Sequence, residues 1–294
     1  MSPSIPSRAF KFIEDLSTSV QGTDSMDYHR GKLLNYVAFQ WSHIVTNYSP
    51  ESIELLGTFA VHFIFYWFGS LVFALADLYA PSSILKKYKI QSISKQPSRQ
   101  VMLQCIPSAL QNQLITSALH ALKLLALRSI TGRFAGYRIE RTLPSLLEII
   151  TDAPLCFIGR DFVCYYDHRI LHLPWFYRRF HKEHHKFTAP VAVAAEHTHP
   201  VDHILINVLP VVIPATLFRV HLVTFWLLMS STILQGSLGH SGWHVRSIFD
   251  RKTTSHDAHH ELFDVEYGTL GLMDWLHGTN YMGKHKSKGK GKVH

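Results

Sequence analysis

Residues 55–76 read LLGTFAVHFIFYWFGSLVFALA, without one Asp, Glu, Lys or Arg. A helix needs about 20 apolar residues to cross the hydrocarbon core of a bilayer. The stretch therefore predicts a transmembrane helix, with the neutral imidazole of His62 tolerated inside it. Composition agrees. Of 294 residues, 47% are apolar and only 17% are charged, against about 25% charged in a typical soluble domain. Low charge with 12% aromatics argues against disorder, a coiled coil or a nucleic-acid module. The net charge of +8 is spread over loops beside apolar runs and over the tail, so no nucleic-acid partner is expected. Cys105, Cys156 and Cys164 lie in apolar runs and form no CxxC pair. They suit free thiols better than a disulfide framework or a zinc ribbon.

On the N-terminal side, residues 1–54 are mixed and polar and read as an arm, without a signal-peptide pattern. On the other side, 81–99 carries Lys86, Lys87, Lys89, Lys95 and Arg99 and no acid. The positive-inside rule puts that loop in the cytosol. The stretch 101–127 is long and apolar but interrupted by Pro107, Gln104, Gln111, Asn112 and Gln113, so it either spans or re-enters. The same rule places the Arg128–Arg141 stretch beside loop 81–99, which requires re-entry or a failure of the rule at one loop. Residues 143–167 hold Glu148, Asp152, Arg160 and Asp161 among apolar side chains, which fits a partly buried helix leaving the membrane. Runs 204–218 and 220–238 flank Arg219 and read as a membrane hairpin with a snorkelling tip. The expected fold is an all-α integral membrane protein with about four embedded helices. The expected divisions are an arm (1–54), membrane helices with their basic loop (55–142), a catalytic region (143–280) that includes hairpin 204–238, and a Lys-rich tail (281–294).

Histidine supplies the chemistry. Seventeen of the 21 histidines lie from His168 onward. Four clusters stand outside the apolar runs: His168 and His172; His181, His184 and His185; His240 and His244; His256, His259 and His260. Residues three or four apart share one face of a helix, with Cβ atoms about 5–6 Å apart, so two such imidazoles can grip one metal. In HxxHH the first and fourth residues are expected to share a face with the fifth beside them. Together the clusters offer ten imidazoles, enough for two metals with open positions. A metal transporter would need ligands within the spans, and these lie outside them.

The order HxxxH, HxxHH, apolar hairpin, HxxxH, HxxHH resembles the fatty acid hydroxylase/sterol desaturase superfamily over about residues 55–280. FHKEHHKFTAPVAVAAEHTHPVD, GHSGWH and HDAHHELFDVEYGTLGLMDWLHGT carry the resemblance. AAEHTHP and HSGW look most like methylsterol oxidases, and HHELFDVEYG is equally similar to sterol C5-desaturases. The resemblance implies a cytosol-facing histidine-rich helical cap over the membrane helices, in the endoplasmic reticulum. It also implies two iron ions held by the ten histidines, O2 as co-substrate, and electrons from cytochrome b5 or an NAD(P)H-dependent reductase. The sequence departs from the family in two places: Glu266 stands where Asn is frequent before Tyr267-Gly268, and Asp202 ends the common HPxE.

Oxidation of a C–H bond by O2 needs a redox metal, which zinc is not. Acids beside the clusters could orient imidazoles through their second nitrogen; Asp167, Glu183, Asp257 and Glu261 qualify by position. His199 is expected close to the second cluster, while His197 and His203 read as surface residues. A sterol-like lipid is the leading substrate class, with fatty acyl, sphingoid or terpenoid lipids as alternatives. A silent membrane protein with a zinc-filled cluster is the competing class. Lys290 and Lys292 resemble a dilysine retrieval signal of the endoplasmic reticulum. Nothing in the chain resembles a cytochrome b5 domain, so the reductant must be a separate protein.

Overall fold

The computed structural model describes residues 25–244 and 250–281. The basic tail beyond Tyr281, with Lys290 and Lys292, lies outside them. Contacts divide the chain into two units. The smaller holds helix α1 (Ser25–Asn47), inside the expected arm, and residues 141–143. Leu33, Leu34, Tyr36 and Phe39 are exposed on α1.

The larger unit begins with α2 (Pro50–Tyr79). Its start is set by local chemistry. The Ser49 hydroxyl accepts the Ser52 N–H at 3.2 Å, and Pro50 occupies the first turn, where a missing N–H costs nothing. Helix α3 (Cys105–Thr131) ends on Gly132, whose φ of 70° closes the last turn. Then come α4 (Leu146–Leu171), α5 (Leu209–Leu217), α6 (Leu222–Gly239), α7 (Asp250–Leu262) and α8 (Leu272–His277). Strand geometry among the described residues is limited to the isolated bridges Lys89–Trp243 and Arg138–His221. The architecture is all-α, as expected.

Buried polar side chains fix how the helices run. At one end, the Glu54 carboxylate on α2 accepts the Gly136 N–H at 2.6 Å and pairs with His120 (2.8 Å) and Lys123 (3.2 Å) of α3. At the other end, Asp77 pairs with Lys89 and accepts the Trp243 indole N–H, each at 2.7 Å. Cys105, at the start of α3, packs there with Phe187 and Val191. Helices α2 and α3 are therefore antiparallel. Helix α3 runs unbroken for 27 residues, about 40 Å. That length is enough for a span.

Most of the stretch 143–167 falls on α4. The hairpin becomes a short helix Pro200–His203, a π-helical stretch and α5, then α6. Its tip at Arg219 adopts a φ of 50° and is held by Arg138, whose Nε donates to the Arg219 carbonyl at 2.9 Å. Helix α6 packs along α2, and α5 along α4. At the α2–α6 contact only glycine fits at 57, because a Cβ there would overlap the Trp226 ring. Four helical segments are long and apolar enough to cross a membrane: Pro50–Tyr79, Arg99–Thr131, Pro200–Leu217 and Leu222–Gly239. Phe63 and Phe68 on α2, Leu122 on α3 and Ile158 and Phe162 on α4 are exposed. Such a band needs an apolar surrounding. The protein is an integral membrane protein, and its histidine clusters collect at the end that holds Asp77 and loop 81–99.

Candidate metal centre

Nine of the ten expected histidines come together, in two groups. His168, His172, His181, His185 and His259 form the first, and His184, His240, His256 and His260 the second. The sharing differs from the expectation. In both HxxHH clusters the first and fifth residues stay together, while the fourth crosses to the other group. His181 and His185 join the first group and His184 the second; His256 and His260 join the second and His259 the first. On a helix, residues four apart lie 40° apart in azimuth, about 1.1 turns along, and the residue between them points aside. The backbone reinforces this at the first HxxHH. Lys182 N–H donates to the Tyr177 carbonyl at 2.8 Å, a π-helical turn, and a tight turn at His184–Lys186 follows. Inserted turns of this kind recur at functional sites.

The tenth histidine needs correction. His244 joins neither group; its backbone N–H donates to the Tyr88 carbonyl at 2.7 Å. The chain leaves α6 at Gly239, so no helical turn carries His244 back beside His240.

The donor atoms fit metal ions. Within the first group, His181 Nε2 lies 3.1 Å from His168 Nε2 and 3.0 Å from His185 Nε2. In the second, the Nε2 atoms of His240 and His256 are 2.9 Å apart, those of His256 and His260 3.2 Å, and those of His240 and His184 3.3 Å. Metal–nitrogen bonds of about 2.1 Å would space neighbouring ligand nitrogens about 3.0–3.4 Å apart. Hydrogen bonding alone does not satisfy the set, since the buried His172 and His259 Nε2 atoms have no partner.

The far ring nitrogens fix the tautomers. His168 Nδ1–H donates to the Tyr267 carbonyl (2.9 Å), His259 Nδ1–H to Val265 (2.6 Å) and His240 Nδ1–H to Gly236 (2.8 Å). Each leaves an Nε2 lone pair facing the group, the form a metal requires. Burial, aided by neighbouring imidazoles, holds His168, His184, His256, His259 and His260 well below the usual histidine range. His172 is pushed down to about 3 and His240 to about 4, chiefly by burial. These seven donors are therefore held in the neutral form.

The acids are sorted differently from their sequence positions. Asp202 is the carboxylate that grips a cluster imidazole, at 2.9 Å from His181 Nδ1. His199 acts one step away: its Nδ1 caps the Pro200–His203 helix by accepting the Val201 N–H at 3.2 Å, and that helix carries Asp202. The departure from HPxE is thus the residue in use. Asp167 bonds none of the nine histidines among the described residues. Asp257 is held by Gln91 Nε2 at 2.8 Å, and burial raises its carboxyl to about 6. Glu183 pairs with Lys186 and His197, and Glu261 with Lys95, at the surface. Nothing local in the sequence separates Asp202 from the other four acids; the π-helical turn that aims His181 at it does. An Asp202→Asn variant should fold, but bind metal about 10–100-fold more weakly. Chelator titration checks this, and unchanged retention would deny Asp202 its orienting role.

The turn 265–271 forms one wall of the first group. The Tyr267 ring lies 5.1–5.7 Å from the rings of His172, His259 and His168. Two buried carboxylates hold the turn. Asp274 accepts the Tyr267 and Gly268 N–H groups, and Asp161 those of Thr269, Leu270, Gly271 and Met273. A Cβ at Gly268 would sit 2.7 Å from Asp161 Oδ1, so glycine is required there. Glu266 has a φ of 56°, which Asn adopts more readily than Glu. This explains the frequent Asn of the resembled family, and here the Glu266 carboxylate anchors the Tyr281 N–H at 2.8 Å.

A cavity of about 320 Å³ opens beneath the second group. His240 lines its head; Phe225, Met229 and Ile233 of α6 line its length, and Thr58 and Tyr137 the far part. From His240 to Phe225 is about 22 Å of helix. His203, expected at the surface, is buried and bonds Thr116 at 3.0 Å beside this cavity. Glu196 on the same wall is held by His62 at 2.6 Å and Gln113 at 3.0 Å.

Comparison with known proteins bears on the family. The fatty acid hydroxylase family model matches residues 153–279. Methylsterol monooxygenase 2-2 of Arabidopsis thaliana is 30% identical over 258 residues, covering 84% of this chain and 93% of that protein. The chain belongs to the fatty acid hydroxylase superfamily. Other relatives within the superfamily include human fatty acid hydroxylase domain-containing protein 2, 29% identical over 83% of this chain and 73% of its own length. A very-long-chain aldehyde decarbonylase of Oryza sativa is 29% identical over 82% of this chain and 90% of its own length. No solved structure matches. One of these relatives is named a monooxygenase and another an aldehyde decarbonylase, and the family supports an oxidoreductase.

Proposed function

We propose that the protein is a di-iron, O2-dependent oxidoreductase that hydroxylates, oxidises or desaturates a C–H bond of a sterol or sterol-like lipid. The observation that carries this is the pair of neutral imidazole groups standing at the head of a long apolar cavity. Iron accepts imidazole nitrogen and changes oxidation state, and two such ions would supply the activation of O2 that an unactivated C–H bond demands. The chain's own residues do the rest. Asp202 and the Tyr267, Val265 and Gly236 carbonyls hold the imidazole tautomers. The apolar walls at Phe225, Met229 and Ile233 keep water away and align a lipid along α6.

Orientation follows from the same end of the molecule. Loop 81–99 meets the metal-bearing helix α7 through Gln91–Asp257 and Lys95–Glu261 contacts of 2.8 and 2.9 Å. A cytosolic basic loop would put the histidine end in the cytosol, where the three buried free cysteines stay reduced. We assign the protein to the endoplasmic reticulum membrane, with cytochrome b5 or an NAD(P)H-dependent reductase as electron donor. The test is metal analysis of detergent-purified protein from iron-replete cells, with a lipidome comparison of expressing and control cells. Iron, with a sterol that gains oxygen or loses two hydrogens, is expected. Zinc alone with an unchanged lipidome would favour a structural cluster, and an altered fatty acyl, sphingoid or terpenoid lipid would replace the sterol assignment.

A further inference from the structure

The cavity wall made by α4 carries an arginine with two unpartnered nitrogens. Arg160 lines the cavity, and its Nε and Nη1 atoms are buried without a hydrogen-bond partner. A buried donor without an acceptor is costly, and Arg160 has two of them. The nearby carboxylates are already engaged. Asp161, next in sequence, faces away and is occupied by the backbone N–H groups of residues 269–273. Glu196, across the cavity, is occupied by His62 and Gln113. The Lys252 ammonium repels the Arg160 charge, while the Asp161 carboxylate attracts it. Val211 and Val212 line the same cavity.

We propose that Arg160 is a specificity-determining residue that receives the carboxylate of an acidic lipid inside the cavity. The planar guanidinium fork matches a carboxylate with two parallel hydrogen bonds. Arg160 precedes the first metal-group histidine, His168, by two helical turns, about 12 Å along the α4 axis. The anionic group would therefore sit away from the oxidised carbon and set the register of the chain. This rests on the lipid-oxidising role proposed above and deepens it by naming the charge of the substrate.

The test is equilibrium binding to the iron-loaded protein in phosphatidylcholine nanodiscs. Two matched pairs of probes are compared: hexadecanoate with hexadecanol, and 3β-hydroxychol-5-enoate with its methyl ester. The acid of at least one pair should bind about tenfold or more tighter than its neutral partner. Arg160→Gln should erase that preference while leaving neutral binding within about twofold, and Arg160→Lys should keep part of it. Equal binding of acid and neutral partners by the wild type would overturn the proposal, as would a preference that survives in Arg160→Gln. If Arg160→Gln fails to fold, the wild-type comparison alone decides. Because the readout is binding, an acid preference in a protein that oxidises no lipid would sink the enzymatic role and leave the carboxylate site standing.

Discussion

His184→Ala and His185→Ala should each strip one metal group and spare the other, although the two residues are neighbours. His184 belongs with His240, His256 and His260, and His185 with His168, His172, His181 and His259. Removing one imidazole from the group of four leaves three donors, and iron content should fall from about two ions per chain to about one. The group of five should lose affinity less steeply but still lose its ion on mild chelation. Either change should abolish lipid conversion, because both ions are needed. His244→Ala is the contrast, since that imidazole joins neither group; it should keep both ions and most activity. Iron counting by mass spectrometry on the three purified variants decides. Full iron in His184→Ala, or metal loss in His244→Ala, would show that the two groups are wrongly drawn.

Asp161→Ala should be the most damaging change outside the histidines. One carboxylate, fully buried, satisfies four backbone N–H groups between Thr269 and Met273. Hydrogen bonds to a charged acceptor contribute about 1.5–3 kcal/mol each, and orphaned buried donors add a desolvation cost. Even with water entering, a loss of about 3–5 kcal/mol is expected, an apparent melting temperature lower by about 10 °C or more. The damage should reach the metal. The same turn supplies the Tyr267 and Val265 carbonyls that hold His168 and His259, so the first group should lose its ion before the second. Thermal scanning in detergent with iron analysis checks both effects. Asp152→Ala, on the same helix, should leave both unchanged. A melting temperature within about 2 °C of the wild type would show that the turn holds itself.

The amino-acid sequence by itself determined what depends on neighbours along the chain. The length of 55–76 is a property of consecutive residues, and so is the ability of His168 with His172, or His256 with His260, to share a helical face. Those features sufficed for an all-α membrane protein with two histidine-rich ends of a catalytic region. Tertiary structure decided what depends on which helix faces which. The crossing of His184 and His259 between groups, the exclusion of His244 and the choice of Asp202 over Asp167 and Asp257 depend on chain segments far apart in sequence. The same holds for the burial of His203 and for the place of Arg160 on the cavity wall. A side chain's period is set by 3.6 residues per turn, but its partner is set by packing between elements, which no local spacing encodes.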